Sequence, residues 1–265
     1  MALSDPRAIG LFDSGLGGLA VLQEVRRQLP DENVLFLADQ GRLPYGPRPA
    51  AEIRQFAEQI ARFLLARNAK AIVVACNTAS AAALAHLRQA FPGIPFVGME
   101  PAVKPAAEQT QSRIVGVIAT QSTCQSDIFD SVVERFARDV SVLRCACPGL
   151  VTQVEAGELE SQKTIGLLHE YLDPLLAAQI DSLVLACTHF TFLTPAIRRV
   201  VGPRVRIVDP APAVARQVGR VIAPCALNRP ATIEAYTTGR VDPSSLASSL
   251  IGEPILFEQQ ALAEL

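Results

Sequence analysis

The sequence predicts an α/β fold made of two pseudo-symmetric domains, each built on a parallel sheet, with the active site in the cleft between them. Short apolar runs rich in Val, Ile and Leu alternate with segments whose apolar positions recur at helical spacing, such as residues 19–29 and 51–66. This alternation is typical of parallel sheets covered by helices. The same succession of strands also occurs twice along the chain, which indicates an internal repeat.

Four strand candidates in the first half have counterparts in the second half. AIGLFDS matches IVGVIAT, NVLFLAD matches DVSVLRC, the run before Cys76 matches the run before Cys187, and PFVGMEP matches VRIVDPA. Any one of these similarities could arise by coincidence between generic strands. Four of them in the same order favour a repeat.

The repeat also predicts the domain boundaries. An acid–proline step, Glu-Pro or Asp-Pro, follows the last matched strand of each half and fits a point where the chain crosses between halves. The tail, with IEAYTTG, a short helix and PILFEQ, is expected to return to the first half. The predicted domains are residues 1–99 plus 210–265, which carry Asp13 and Cys76, and residues 100–209, which carry Cys187.

Composition restricts the classes of function. The chain of 265 residues is 49% hydrophobic and 19% charged, as in compact folded proteins. The net charge of −2 and the lack of a Lys/Arg run argue against nucleic acid or a membrane as a partner. MALSDPRAIG does not resemble a signal peptide, and no apolar segment approaches the length of a membrane span. We therefore expect a cytoplasmic protein that acts on a small molecule, and as a separate expectation we take it to be a homodimer.

Six cysteines are present, at positions 76, 124, 145, 147, 187 and 225. Without an export signal they are expected to be reduced. None has CxxC spacing, CAC at 145–147 is too short for a common zinc knuckle, and the histidines do not complete a ligand set, so we predict no metal. Cys124, Cys145 and Cys225 are interpreted as small buried apolar residues.

Cys76 and Cys187 occupy matching positions. Each ends an apolar run, in AIVVACNTAS and SLVLACTHFT, and each is followed by Thr or Asn-Thr. Both thiols are therefore predicted at the carboxyl end of a parallel strand, where open α/β sheets bind ligands, with a helix starting beside each sulfur. A helix N-terminus favours the thiolate and lowers the pKa of a thiol from about 8.5 toward neutrality.

Two such thiols could act together on one substrate. One thiolate would remove a proton from a carbon acid while the other thiol returns a proton on the opposite face, which inverts a stereocentre. The alternative is a disulfide. A reducing compartment disfavours it, and a substrate between the sulfurs would hold them too far apart to bond.

The segment DSGLGG allows two interpretations. Its glycines fit the dinucleotide pattern GxGxxG/A after a strand, and Asp39 lies where a ribose-binding acid is expected. The carboxylate of Asp13 at the strand tip argues against this, because it would repel a pyrophosphate at the helix N-terminus. The second interpretation is a smaller anion, such as a carboxylate, bound by Ser14 and the following backbone N–H groups.

Other candidate residues have ordinary structural explanations as well. The Asn and Thr residues that follow the two cysteines could bind an anion or simply cap helices. Tyr45, in the LPYG turn, could reach a ligand, but packing alone would explain it. His189 could hold or relay a proton for the nearby thiol. By composition alone, Glu155 fits a solvated surface position.

The motifs FDSGLGG, LPYG, ACNTAS, ACP followed by VEAGE, and ACTH, in this order, resemble those of the cofactor-independent glutamate racemases of bacterial peptidoglycan synthesis. The resemblance runs from about Ile9 to the YTTG segment. It implies an isomerase that interconverts L- and D-glutamate by two-base proton transfer at Cα and supplies D-glutamate for the cell wall. It also implies that no cofactor and no metal are used.

The resemblance further implies a role for individual residues. Cys76 would take the proton from D-glutamate and Cys187 from L-glutamate. Asp13 would assist Cys76, whereas Glu155 and His189 would assist Cys187. The residues implied to hold the carboxylates and ammonium of the substrate are Ser14, Pro44, Tyr45, Gly46, Asn77, Thr78, Thr120, Thr123 and Thr188.

Some positions depart from the family pattern. Gln40-Gly41 stands where Thr or Ser and Ala are common, Phe190-Thr191 replaces Tyr-Pro, and CPGLVTQVE lacks the usual Phe and Pro. These departures leave the reaction type unchanged and put fine substrate preference in doubt. Alternative functions are a dinucleotide-dependent oxidoreductase, a two-lobed solute-binding module, and a superfamily relative that acts on aspartate or another acid.

Overall fold

The computed structural model describes residues 5–223, 225 and 230–262. In these ranges the strands are β1 (Ile9–Asp13), β2 (Val34–Ala38), β3 (Ala71–Val74), β4 (Phe96–Gly98), β5 (Ile114–Ala119), β6 (Ser141–Ala146), β7 (Ser182–Ala186), β8 (Arg206–Val208), β9 (Ile233–Thr237) and β10 (Phe257–Gln259).

The α-helices alternate with these strands. They are α1 (Leu19–Gln28), α2 (Ala50–Ala66), α3 (Asn77–Ala90), α4 (Val103–Gln109), α5 (Gln121–Cys124), α6 (Asp127–Phe136), α7 (Leu150–Glu155), α8 (Gln162–Ala177), α9 (Thr194–Val201), α10 (Ala211–Val221) and α11 (Ser244–Ile251). Short 3-10 helices occupy Leu16–Gly18, Gln40–Arg42 and Thr188–Leu193.

The chain divides into two compact units, Met1–Met99 with Ala211–Leu265, and Glu100–Pro210. The boundary predicted from the sequence assigns Pro210 to the first domain, one residue away from this division. The sheet of the first unit has the order β10-β9-β2-β1-β3-β4, and that of the second has the order β6-β5-β7-β8. All pairs in both sheets are parallel. The predicted α/β class with parallel sheets is therefore confirmed.

The two sheets share a common pattern. The order β2-β1-β3-β4 in the first unit is the order β6-β5-β7-β8 in the second, with the strands in the same chain sequence. These are the four pairs of matched segments found in the sequence, so the predicted repeat is confirmed. The strands of the tail, β9 and β10, extend the first sheet beyond β2, as expected.

Burial explains why the central strands are apolar. Every residue of β1, β2, β3 and β7 is buried, as expected for parallel strands with both faces covered. In β5, Ile118 packs in a core cluster with side chains of α7, α8 and α9. Its neighbours Val117 and Ala119 pack in a second cluster with side chains of α4 and α6. The alternation of side chains along a strand thus divides β5 between two cores.

The segments that follow the two cysteines agree only in part with each other. α3 begins at Asn77, directly after Cys76, as predicted, but a 3-10 helix of Thr188–Leu193 follows Cys187 before α9 begins. A helix therefore follows each cysteine, as predicted, but the one that begins beside the Cys187 sulfur is a 3-10 helix. No helix among the described residues is long and apolar enough to span a membrane.

Candidate active site

Strand register brings Ser14 and Cys76 together in the first unit. Phe12 of β1 pairs with Val74 of β3, and the N–H of Ala75 donates to the carbonyl of Phe12 at 2.8 Å. Two residues further along each strand, Ser14 and Cys76 lie side by side, with 3.7 Å between Oγ and Sγ. The carboxyl edge of the sheet therefore holds a thiol and a hydroxyl in contact.

The Cys76 thiol is the N-cap of α3. Its sulfur accepts a hydrogen bond from the N–H of Ala79 at 3.4 Å. Such an N–H donor and the positive end of the helix dipole both favour the thiolate over the thiol. Only 4% of the Cys76 surface is exposed, so the sulfur is also protected from bulk water.

A carboxylate lies behind this thiol. Asp13 is fully buried at the end of β1, and one of its oxygens accepts hydrogen bonds from the N–H of Ser14 at 2.7 Å and from the Ser14 hydroxyl at 3.3 Å. The Ser14 hydroxyl thus connects the Cys76 sulfur to the Asp13 carboxylate. Gly18 allows the close approach, because a Cβ there would lie 2.7 Å from the Cβ of Asp13.

Asn77 and Thr78 open α3 and are both buried. The side-chain oxygen and nitrogen of Asn77 have no hydrogen-bond partner among the described residues. A buried carboxamide without partners is costly, and in native proteins it calls for an explanation. A ligand with both acceptor and donor groups would satisfy it.

Tyr45, in the LPYG turn, is buried, with 2% of its surface exposed. The Tyr45 hydroxyl donates to a carboxylate oxygen of Asp39. Burial, together with this carboxylate, holds the pKa of Tyr45 well above its ordinary value. The neighbouring Leu43–Pro44 peptide is cis, Pro44 is exposed, and Gly46 is half-buried.

Asp39 has partners that the sequence does not predict. Besides Tyr45, it accepts a hydrogen bond from the Thr238 hydroxyl at 2.7 Å and pairs with Arg42 at 2.8 Å. Its carboxylate is therefore fully engaged and does not offer a free acceptor for a ribose. This geometry argues against the dinucleotide interpretation of DSGLGG.

The second unit repeats the arrangement of the first with different residues. Ala119 of β5 pairs with Ala186 of β7, so Thr120 and Cys187 come next to each other at the carboxyl edge of the sheet. Thr120 caps α5, and its hydroxyl donates to the Thr123 hydroxyl at 2.9 Å. Thr120 corresponds to Ser14 in the repeat. In each unit, therefore, the strand that ends at the cysteine pairs with a strand that is followed by a hydroxyl residue.

His189 connects the Cys187 thiol to a carboxylate. The Sγ of Cys187 lies 3.9 Å from Nδ1 of His189, and Nε2 of His189 lies 2.7 Å from a carboxylate oxygen of Glu155. Thr188, which lies between Cys187 and His189 in the chain, is buried at the start of the 3-10 helix. The carboxylate fixes the imidazole so that the nitrogen near the sulfur can exchange a proton with it.

Glu155 corrects one interpretation drawn from composition alone. It is the last residue of α7, and its side chain is only 11% exposed against His189, not solvated on the surface. Its partner is 34 positions away in sequence, a separation that no local pattern encodes. The VEAGE motif is the signal that found it.

Two of the three cysteines that the sequence analysis interpreted as buried are more exposed than expected. Cys124 and Cys145 are half-buried, whereas Cys225 is buried as predicted. Cys147, which the sequence does not single out, packs in the same core cluster as Cys187 and lies 3.9 Å from the Cys145 sulfur. Among the described residues, no group of three or more His, Cys, Asp or Glu side chains is arranged to hold a metal ion.

The departures from the family pattern have structural roles. Gln40 accepts a hydrogen bond from the Thr237 hydroxyl at 2.9 Å, and the N–H of Gly41 donates to Thr238 at 2.9 Å. Gly41 is required there, since a Cβ would lie 2.6 Å from the Thr238 carbonyl oxygen. Phe190 is fully buried in the core of the second unit. These residues support the loops around the site.

Taken together, each unit contains a buried cysteine that is connected to a carboxylate through a second side chain. In the first unit the connection is a hydroxyl, and in the second it is an imidazole. Thiol and thiolate forms of a cysteine can donate and accept a proton, so each unit has the groups of a general acid–base catalyst.

Comparisons with known proteins agree with this chemistry. The model of the Asp/Glu/Hydantoin racemase family matches residues 9–218. The glutamate racemase of Roseiflexus sp. (strain RS-1) is 51% identical over 253 residues, which cover 94% of this chain and 92% of that protein.

Solved structures show the same relationship. The glutamate racemase of Francisella tularensis in complex with D-glutamate has a TM-score of 0.86 and 26% identity, covering 98% of this chain and 99% of that one. The Escherichia coli glutamate racemase in complex with L-glutamate and the activator UDP-MurNAc-ala also has a TM-score of 0.86, with 31% identity over 97% of this chain and 100% of that one. The resemblance found in the sequence is confirmed: the chain belongs to the Asp/Glu/Hydantoin racemase family and is an amino-acid racemase of the glutamate racemase group.

Proposed function

We propose that this protein interconverts L- and D-glutamate by a two-base mechanism in which Cys76 and Cys187 act on opposite faces of Cα. One observation carries the proposal: equivalent strands of the two units each end in a buried cysteine connected to a carboxylate. A single acid–base group would not need this duplication. Proton removal from one face of Cα and proton return to the opposite face by two separate groups does.

The proton balance follows from the two thiols. From L-glutamate, the Cys187 thiolate takes the Cα proton and becomes a thiol, while the Cys76 thiol gives its proton to the other face of the planar carbanion and becomes a thiolate. From D-glutamate the roles are exchanged. The protein is left ready for the reverse reaction after each turnover, and proton exchange with solvent restores the starting form.

The groups behind the thiols would tune this transfer. Asp13, through Ser14, would hold a proton near Cys76, and Glu155, through His189, would do so near Cys187. Proton transfer by positioned side chains typically contributes roughly 10²–10⁴-fold to a rate. The mechanism assigned to these residues needs no pyridoxal phosphate and no metal.

The remaining predicted residues would bind the substrate. Asn77 has the strongest support, because its buried carboxamide lacks a partner among the described residues. We assign the two carboxylates and the ammonium of glutamate to a set of side chains and backbone groups at the two sheet edges: Ser14, Pro44, Tyr45, Gly46, Asn77, Thr78, Thr120, Thr123 and Thr188. Pro44, Tyr45 and Gly46 would act through the shape of the turn that they form.

The relatives support glutamate as the substrate. The structure from Francisella tularensis is a complex with D-glutamate, and that from Escherichia coli is a complex with L-glutamate. We further propose that the protein acts in the cytoplasm as a homodimer and supplies D-glutamate for peptidoglycan synthesis.

Deuterium labelling tests the mechanism. Each enantiomer is incubated separately in deuterated water with EDTA and without added cofactor, and both enantiomers are separated and weighed by mass spectrometry at low conversion. Two bases place deuterium in the product enantiomer and leave the recovered substrate unlabelled. A single base that serves both faces would label both enantiomers from the start.

Substitution of the thiols completes the test. Cys76→Ala and Cys187→Ala should each abolish racemisation in both directions, whereas Cys225→Ala, which removes another buried cysteine, should retain it. Racemisation at the parent rate by either of the first two variants would sink the assignment. A substrate panel that includes both enantiomers of aspartate separates glutamate from the other acids.

A further inference from the structure

Two thiols that the proposed mechanism does not use lie together in the second unit. Cys145 is the penultimate residue of β6, and Cys147 directly follows the last one. Because side chains alternate along an extended chain, residues two apart point to the same side. Their sulfur atoms lie 3.9 Å apart, in contact.

The two thiols differ in solvent exposure and in pKa. Cys145 is half-buried on the edge strand of its sheet, whereas Cys147 is buried. The Cys147 thiol donates a hydrogen bond to the Cys145 sulfur, which lowers the pKa of Cys145 to about 7 and raises that of Cys147. Burial and the nearby Glu170 oppose ionisation of Cys145 but do not outweigh this bond. The pair thus combines a more exposed sulfur, whose pKa is lowered toward neutrality, with an adjacent buried thiol.

We propose that Cys145 and Cys147 form a peroxide-sensitive dithiol, in which Cys145 is oxidised first and Cys147 then closes a reversible disulfide. The inference rests on the contact between the two sulfurs and on their difference in exposure. It does not depend on the proposed racemase mechanism, because neither thiol has a role in it.

The chemistry balances with hydrogen peroxide as the oxidant. The Cys145 thiolate attacks one peroxide oxygen, the O–O bond breaks, and Cys145 becomes a sulfenic acid while hydroxide leaves. The Cys147 sulfur then attacks the Cys145 sulfur, the S–O bond breaks, and the hydroxyl leaves with the Cys147 proton as water. The two thiols lose two electrons in total, and the peroxide gains them.

Backbone geometry indicates that this disulfide would be easily reduced. Residues two apart on a strand are separated by about 6–7 Å between Cα atoms, at the upper end of the roughly 4.4–6.8 Å found in disulfides. Cys147 lies beyond the end of β6, and Gly149, with a φ of +87°, turns the chain two residues later. The strand end must bend to close the bond, and strained disulfides have more oxidising potentials.

Other thiols of this unit are less suited to the reaction. Burial raises the pKa of the Cys124 thiol to about 11, so it holds very little thiolate near pH 7. Cys187 packs in the same core cluster as Cys147 but is buried and has His189 as its own neighbour. Oxidation is therefore expected to begin at Cys145 and to end at Cys147.

The tryptic map of the chain makes the product easy to identify. Cleavage after Arg144 and Lys163 releases residues 145–163, which contain these two cysteines and no other. The purified protein is treated with a few equivalents of hydrogen peroxide at pH 7, blocked with N-ethylmaleimide, digested and weighed. We expect this peptide to be two hydrogens lighter and to carry no maleimide, at a rate at least about tenfold above oxidation of the Cys124 peptide. Treatment with dithiothreitol before blocking should restore two maleimide sites.

Variants test the order of events. Cys147→Ser should stop the reaction at a sulfenic acid on Cys145 that dimedone traps, whereas Cys145→Ser should leave Cys147 unmodified, and Cys124→Ser should behave like the parent. In Cys147→Ala, the rate of Cys145 alkylation by iodoacetamide should rise with pH around a midpoint above the parent value of about 7. The proposal fails if the 145–163 peptide keeps two free thiols under these conditions, if Cys147 bonds to Cys187 instead, or if Cys145 proceeds to a sulfinic acid in the parent.

Discussion

Nε2 of His189 lies 2.7 Å from a carboxylate oxygen of Glu155, and the two side chains are only 2% and 11% exposed. Removal from water strengthens this contact, because the local dielectric constant is lower than that of the solvent. The pair fixes which nitrogen of the imidazole faces the Cys187 sulfur. We therefore treat Glu155 as a positioning residue that acts through His189.

Glu155→Gln should slow racemisation by at least about tenfold, since a neutral amide holds the imidazole less firmly and no longer stabilises its charged form. The equilibrium constant between enantiomers is one, so kcat/KM must fall equally in both directions. The two directions differ instead in isotope effect. We expect the effect of α-deuteration to increase for L-glutamate, whose proton Cys187 is proposed to take, and to change little for D-glutamate.

Asp13→Asn provides the mirror-image test. The isotope effect should increase for D-glutamate and change little for L-glutamate, because the weakened step is at Cys76. Glu158→Gln, on an exposed residue near Glu155, should leave both isotope effects as in the parent. The same pattern of isotope effects from Glu155→Gln and Asp13→Asn would show that the two carboxylates do not serve separate thiols.

Asn77→Ala should weaken substrate binding without a matching loss of stability. The buried carboxamide has no partner among the described residues, so its removal breaks no side-chain hydrogen bond with them. We expect the free energy of unfolding to change by less than about 1 kcal/mol, while KM for glutamate rises roughly 10-fold through loss of a bond to a charged group. Urea denaturation and steady-state kinetics measure the two effects.

Ser80→Ala is the matched control for this prediction. The Ser80 hydroxyl donates to the Val74 carbonyl and accepts from the N–H of Met99, both at 2.9 Å. Its removal leaves a buried donor unpaired and should cost about 1–3 kcal/mol of stability. If Asn77→Ala destabilises the protein as much as Ser80→Ala, Asn77 has a structural role and not a ligand role.

Gly18→Ala should destabilise the first unit by about 1–3 kcal/mol, the usual cost of forcing an extra methyl group into a packed site. The new Cβ would meet the Cβ of Asp13 at 2.7 Å and the ring of Phe36 at 3.0 Å. Because Asp13 must move, racemisation should also slow. Gly166→Ala in α8 meets nothing within 4 Å and should stabilise the protein by up to about 1 kcal/mol through helix propensity. Equal denaturation midpoints for the two variants would contradict the packing argument.

The buried phenol of Tyr45 should make the protein less stable as the pH rises above about 10. Below about pH 10 the phenol is neutral in the folded and unfolded chain, so it has no effect on pH dependence. Above that pH the unfolded chain releases the proton, whereas the folded protein retains it because burial raises the pKa of Tyr45. Stability should then fall by up to about 1.4 kcal/mol per pH unit for this one group.

Tyr45→Phe measures this contribution. Although the variant is less stable near neutral pH, because Asp39 loses one donor, its stability should fall less steeply than that of the parent between about pH 10 and 11. Urea midpoints at a series of pH values give the two slopes. Parallel slopes would mean that the alkaline loss comes from other groups.

The fold was largely accessible from sequence because its signals are local and repeated. Apolar runs such as AIVVA and SLVLA contain the buried residues of β3 and β7, and their repeated order along the chain predicted two similar parallel sheets. The 3-10 helix after Cys187 was not accessible in this way. Thr-His-Phe-Thr has no feature that distinguishes a 3-10 start from an α-helical one.

The sequence predicted the site residues that lie in recognisable motifs. It did not predict contacts between residues that are far apart in the chain. Cys76 and Cys187 stand out through their strand context alone. The partners of Asp39 could not be identified in this way. Tyr45 lies 6 positions and Thr238 lies 199 positions away, and only folding brings them together. For the same reason, hydrophobic pattern could not show that Glu155 turns inward to His189.

The strand order of the first sheet has a consequence for biosynthesis. β2 pairs with β1 on one side and with β9 on the other, so its second edge stays bare until residues 233–237 have left the ribosome. The four strands of the second sheet, by contrast, lie in one uninterrupted stretch of chain and are all translated before β9. The nascent chain thus offers an exposed β edge throughout the synthesis of its middle third, the kind of surface that chaperones protect from aggregation.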